Sequence, residues 1–120
     1  MSYFTLEETA CKCGCGLDSI DPALMGELEE TRGILGFALI VNSGCRCVPY
    51  NALIGGKPDS AHTPRKGGLC KAADIGMING YHRHLFLQEA FKRFPRIGIY
   101  ETFIHVDIDE GKFSPVVWVL

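Results

Sequence analysis

The sequence predicts a small α+β domain in which an antiparallel sheet carries helices packed on one face. Three observations predict it. Two segments that open on good helix caps, Asp21-Pro22 and Asn79, carry apolar residues at helical spacing. Short runs around Lys71–Met77 and Phe103–Ile108 alternate with a period of two, as half-buried strands do. The 120 residues, 47% of them hydrophobic, are one domain's worth of chain and can bury a single core. No repeat or linker divides them, so residues 1–120 read as one domain.

Taken in order, Thr5-Leu6-Glu7-Glu8 has the spacing of a capping box, which predicts a helical turn from Leu6 to about Ala10. The Cys/Gly-rich run to Gly16 is then irregular. Asp21 as N-cap with Pro22 at the first helical position starts a longer helix, whose stripe is Leu24, Leu28, Thr31 and Leu35 and whose stop is Gly36. Phe37 to Asn42 reads as a buried strand ended by Ser43-Gly44. From Ser43 to Gly68 the chain is rich in Gly, Pro, Ser and Asn, and only Tyr50 to Ile54 suits a helical turn. So long a loop in a compact domain is usually functional or disordered. Lys71–Met77 is the next strand, with Ala72, Asp74 and Gly76 on one side and Ala73, Ile75 and Met77 on the other. Asn79 caps a helix from Gly80 to about Phe94, buried through Leu85, Phe86, Ala90, Phe91 and Phe94, and Pro95 ends it. Strands around Gly98–Tyr100 and Phe103–Ile108 follow, then a turn at Asp109-Glu110-Gly111 and a last strand from Val116 to Leu120.

Charge and composition narrow the function. Twelve basic and fourteen acidic residues give a formal charge of -2, without the basic excess that marks nucleic-acid binding. No stretch of 18 apolar residues suits membrane insertion, and the start, MSYFTLEETACKCGCG, has no signal-peptide pattern. The six cysteines, Cys11, Cys13, Cys15, Cys45, Cys47 and Cys70, are clustered. Cys11-x-Cys13-x-Cys15 is not the usual C-x2-C zinc spacing, so free thiols, disulfides and a second, cysteine-bound metal all stay open.

The stretch from Arg96 to Asp109, RIGIYETFIHVDID, presents chemistry on a rigid element. Read as a strand, Phe103, His105 and Asp107 face one way, while Ile104, Val106 and Ile108 anchor the other side in a core. His82 and His84, at i and i+2 on a helix, read as surface residues. His62 in the long loop, Asp74 on one strand and His105 on another have the composition of a catalytic zinc site, two imidazoles and a carboxylate with a vacant fourth position. On spacing alone the plainer reading, a loop histidine and two hydrogen-bonded strand residues, is favoured.

Five motifs in order shift that balance: Ser43-Gly44-Cys45-Arg46-Cys47, Tyr50-Asn51 with Gly55-Gly56, Ser60-Ala61-His62, Ala72-Ala73-Asp74-Ile75 and Phe103-Ile104-His105-Val106-Asp107. Together they resemble the zinc D-alanyl-D-alanine carboxypeptidase family, the murein peptidases that include phage endolysins and are structurally akin to the hedgehog signalling domain. The likeness reaches back to Phe4-Thr5-Leu6-Glu7-Glu8. It implies that His62, Asp74 and His105 bind one zinc ion, that Ser60 supports the site, and that Arg46 holds a carboxylate or carbonyl of the peptide substrate. Tyr50 and Asn51 would shape the substrate side of the loop. Glu101, turned inward by a bulge, is the expected proton carrier, with Asp107 its rival or else the acceptor for an imidazole N–H.

The activity implied is zinc-dependent hydrolysis of an amide bond in the murein stem peptide, by a carboxypeptidase or endopeptidase acting as a monomer. A non-catalytic zinc module with a structural or partner-binding role is the alternative. Without a signal peptide, such an enzyme fits a phage or prophage lysin, or a virion-borne one, that acts on the cell wall. One departure stands out: Asp74 lies twelve residues after His62, farther than in the family pattern Ser-x-His-x-x-Gly-x-Ala-x-Asp. The extra residues fall in Thr63–Lys71. Loop closure grows slowly in cost with length, so the ligands can still converge, and the added residues would either reshape the cleft or put Cys70 near the metal.

Overall fold

The computed structural model describes residues 2–77 and 79–120. A five-stranded mixed sheet with four helices forms the α+β architecture. The helices are α1 (Leu6–Thr9), α2 (Pro22–Leu35), α3 (Val48–Leu53) and α4 (Gly80–Arg93), and the strands are β1 (Ile40–Ser43), β2 (Ala72–Gly76), β3 (Arg96–Ile99), β4 (Phe103–Asp107) and β5 (Val116–Val119). Among the described residues no helix is long and apolar enough to cross a membrane.

Local chemistry sets the helix ends. Thr5 and Glu8 form the capping box that starts α1. The Asp21 side chain accepts from the Ala23 N–H at the start of α2, and Gly36, at φ 77°, ends it in the left-handed conformation that suits glycine. Asn79 caps α4 by accepting from the His82 N–H. One face of α2 buries Leu24, Leu28 and Thr31. On α4 the buried residues are Phe86 and Ala90, with Phe94 just beyond its end. Phe91, expected in the core, is 55% exposed, because it lies one residue, and so about 100° around the helix, from Ala90. His82 is half-buried, its ring stacked on Phe37 at 3.8 Å, while His84 is exposed.

The strand order is β1-β2-β4-β3-β5. All neighbours are antiparallel except β3 and β5, which run parallel, so the last strand returns along the edge in the opposite sense to a hairpin. Alternation gives the sheet two unlike faces. Ala73, Ile75, Ile97, Ile104 and Val106 join Leu24, Leu28, Phe86 and Ala90 in the core under α2 and α4. The other face carries a single row across four strands, Asp74 of β2, His105 of β4, Gly98 of β3 and Trp118 of β5. Gly98 is required there, since a Cβ would come within 2.5 Å of the Trp118 indole. An irregularity in β1 between Val41 and Ser43 sets Ser43 opposite Asp74 at the end of that row.

The long segment between His62 and Asp74 is a closed excursion. The Lys71 N–H donates to the Ala61 carbonyl at 2.8 Å and pinches its base. Within it, Pro64 bridges Cys70, the Arg65 N–H donates to Leu69, and a 3-10 turn at Lys66–Gly68 uses positive φ at Gly67 and Gly68. Chain leaves and returns at one point, so the longer spacing does not separate the ligands. At its end, the buried Lys71 ammonium pairs with Asp21 at 2.7 Å.

Candidate metal centre

His62, Asp74 and His105 meet, with one donor atom from each inside a 4.8 Å group. Asp74 and His105 are directly opposed in the β2–β4 ladder, so the pleat alone aims both at the face away from the core. His62 arrives from the loop before β2. Its N–H donates to the Ser60 hydroxyl at 3.1 Å, and its carbonyl accepts from the Arg46 N–H at 2.9 Å. Ser60 thus shapes the turn that carries His62, and its own residue lines the cleft.

The partners behind the two imidazoles decide what the centre can bind. His62 Nδ1 lies 2.7 Å from the Gly44 carbonyl, which can only accept, so the ring proton sits on Nδ1. That leaves the Nε2 lone pair facing Asp74 Oδ1 at 3.1 Å. His105 Nε2 lies 2.7 Å from Asp107 Oδ2 and donates to it, which leaves the Nδ1 lone pair 3.0 Å from the same Asp74 oxygen. With neutral rings, three lone pairs converge with no proton among them. A divalent cation suits such a group, and two imidazole nitrogens with a carboxylate oxygen are a donor set that zinc takes.

Electrostatics follow the same partners. Burial disfavours the imidazolium at both histidines. At His62 burial prevails and its pKa falls; at His105 burial is outweighed, because the protonated ring, unlike the neutral one, donates to both Asp107 and Asp74, and the pKa rises. Burial pushes the Asp74 carboxyl up, but its hydrogen bonds with His105 and His62 hold it well below the usual carboxylate range.

Arg46 commits its fork inside the protein. Nε donates to Ser43 Oγ at 3.0 Å, Nη1 to Asn51 Oδ1 at 3.2 Å and Nη2 to Asp74 Oδ2 at 3.2 Å. It therefore pins the Asp74 oxygen that the histidines do not face, while still lining the cleft. Asn51 is buried rather than presented to a ligand. Its amide donates to the Lys57 carbonyl at 2.8 Å, and Gly56 packs so closely that a Cβ there would lie 2.0 Å from Asn51 Oδ1. Tyr50, half-buried on α3, does not line the cleft either.

The two carboxylates expected to compete for the proton are placed differently. Asp107 is 1% exposed, and both its oxygens are engaged: Oδ2 by His105, Oδ1 by the Asp109 N–H at 3.1 Å and by Arg96 Nε at 2.9 Å. It orients His105. Glu101 does not turn inward, because β4 begins at Phe103 and leaves Glu101 exposed in the turn before it, outside the cleft. Cys70 is buried and does not join the three candidate ligands.

The ligands open on a cleft of about 670 Å³. Basic residues, Arg46, Lys57, Arg96 and Lys112, line it together with the aromatic rings of Tyr100, Phe103, Phe113 and Trp118. Arg96 and Trp118 have no role in the sequence reading. Arg96 lies opposite Asp107 in the β3–β4 ladder, and its guanidinium sits over the Trp118 ring at 5.3 Å. Trp118 in turn donates to the Tyr100 hydroxyl at 2.9 Å. Hairpin register would have signalled Arg96; no local pattern signals Trp118.

No curated protein matches the chain. A family model described as Peptidase M15 matches residues 2–109, a span that contains all three candidate ligands and ends before Phe113 and Trp118. The chain belongs to the peptidase M15 family of zinc-dependent metallopeptidases.

Proposed function

We propose that this protein is a zinc-dependent peptidase of the murein stem peptide, cutting a D-Ala-D-Ala terminus or a related stem-peptide amide. One observation carries the reading. Two imidazoles whose tautomers are set by Gly44 and Asp107 turn their free nitrogens onto Asp74 at the floor of a peptide-sized cleft. When bound, zinc supplies Lewis acidity for amide hydrolysis. The chain does the rest. Asp107 and Gly44 hold the imidazole protons away from the ligand atoms, and Arg46 fixes the second Asp74 oxygen. Arg46, Lys57, Arg96 and Lys112 give the cleft a cationic lining that suits a substrate carboxylate. The rings of Tyr100, Phe113 and Trp118 give it apolar surface that suits the peptide's side chains and excludes water. Such an enzyme acts as a monomer on the cell wall, as a phage lysin or virion-borne hydrolase would.

A second reading, a non-catalytic zinc module, is favoured by one fact. Among the described residues, the only cleft-lining side-chain carboxylate besides Asp74 and Asp107 is Asp59, which is exposed and paired with Lys112 at 3.3 Å. The two readings separate in one assay. Zinc-loaded protein is incubated with purified peptidoglycan and with a peptide ending in D-Ala-D-Ala, and D-alanine and released stem peptides are measured against a His105→Ala control. Release by the wild type alone supports the peptidase; zinc bound without release supports the module.

A further inference from the structure

We propose that Cys11, Cys13, Cys15 and Cys47 hold a second zinc ion, in a closed tetrathiolate site that ties the N-terminal loop to the turn carrying Arg46. The four sulfurs fall within 4.8 Å of one another, although Cys47 is distant in sequence from the other three. Two of their separations are 3.5 Å, Cys11 to Cys13, and 3.7 Å, Cys13 to Cys47. A tetrahedron with Zn–S bonds of about 2.3 Å has sulfur–sulfur edges of about 3.8 Å. The loop is bent for the purpose: Gly14 and Gly16 take φ of 83° and 89°, which brings three alternate cysteines to one place where a straight strand would send them to the same side in a line. The Cys11 sulfur also accepts the Cys47 N–H at 3.4 Å, an orienting contact of the kind that metal-bound groups need. Cys13 and Cys15 are exposed, so a metal ion can reach the cluster. Cys45 and Cys70 are buried and stand outside the group.

Four protein ligands leave no position for a substrate, so the role is structural. What it would stabilise is specific. Residues 44–47 lie between the N-terminal segment and the loop that carries His62: the Cys45 N–H donates to the Thr9 carbonyl at 2.8 Å, while the Gly44 carbonyl takes the His62 ring proton. Cys47 follows Arg46 directly. A metal that fixes Cys47 to the loop at 11–15 therefore holds one support of His62 and the base of Arg46.

The site does not depend on the peptidase reading, and its test has its own readout. Elemental analysis and native mass spectrometry of the wild type, purified under reducing conditions, are expected to give two zinc ions per chain. The Cys13→Ser/Cys15→Ser variant is expected to give one. After cobalt substitution, the thiolate-to-cobalt charge-transfer band is expected in the wild type and in His105→Ala, and to be lost in the double cysteine variant. A wild type that lacks the thiolate-to-cobalt band overturns the proposal whatever its total zinc, as does iron in place of zinc at the cysteines or a band that survives in the double variant. Should that variant fail to fold, the band in the wild type and in His105→Ala decides the matter alone.

Discussion

The histidine–aspartate centre is mounted on paired strands, whereas the cysteine cluster hangs on a glycine-bent loop and the cap of a short helix. In the first, ladder register places Asp74 against His105, and each imidazole is fixed from behind by a second acceptor. In the second, the four sulfurs have each other and a single backbone N–H. A centre held open for a substrate must be positioned by the fold, because three ligands alone do not define its geometry. A closed site of four thiolates can instead position the chain around it. The two clusters thus exchange roles: in one the fold orders the ligands, in the other the ligands order the fold.

The strongest way to break that contrast is His105→Ala. It removes one of three ligands, so the hydrolysis measured on D-Ala-D-Ala peptide is expected to fall to background, with one zinc lost and the cysteine-bound zinc kept. Loss of both ions would mean that the two sites are not separate. Next comes Asp107→Asn, which keeps the shape behind His105 and weakens its acceptor and the Arg96 pair. Removing such a partner typically costs about 10–100-fold in metal affinity. Chelator competition should show that loss at the histidine centre alone; unchanged affinity would mean that strand-mounted support of the imidazole does not matter.

Gly98→Ala tests the row from the side. The added methyl would lie 2.5 Å from the Trp118 indole, which is itself 5.4 Å from the His105 ring. Overpacking of this kind typically costs about 1–3 kcal/mol, so thermal unfolding should come at a lower temperature. An unshifted melting temperature would show that β5 and Trp118 yield freely, and that the row is not rigid.

What the sequence made legible follows the range of each interaction. The caps at Thr5, Asp21 and Asn79 act within a few residues, and they set the starts of α1, α2 and α4 as read. Alternation put Asp74 and His105 on the faces opposite Ile75 and Ile104, again a local property. His62 had no local signal, being on a loop, and only the ordered motifs around it singled it out. Arg96, Trp118 and the gathering of Cys47 with Cys11, Cys13 and Cys15 depend on which distant segments pair. The parallel edge strand was missed for the same reason: a run of apolar residues from Val116 states its face but not its direction.

The smallest expected effect is at Glu101, and it bears on the same distinction between residues the ladder places and residues it does not. The family resemblance had suggested a proton carrier a few residues before His105. The side chain is instead exposed in the β3–β4 turn and lines no part of the cleft; the turn is held by its backbone, through the carbonyls of Tyr100 and Glu101 that accept from Arg83. Exposed substitutions without such a role usually shift stability by about 0.5 kcal/mol or less, and a rate change of the same size is roughly twofold. Glu101→Gln should therefore leave kcat/KM on D-Ala-D-Ala peptide within that factor, with the zinc content unchanged. A drop of about 100-fold or more with zinc retained is the signature of a lost proton carrier. It would require the turn to fold inward over bound peptide, and would make the hairpin end a moving part beside a centre whose ligands do not move.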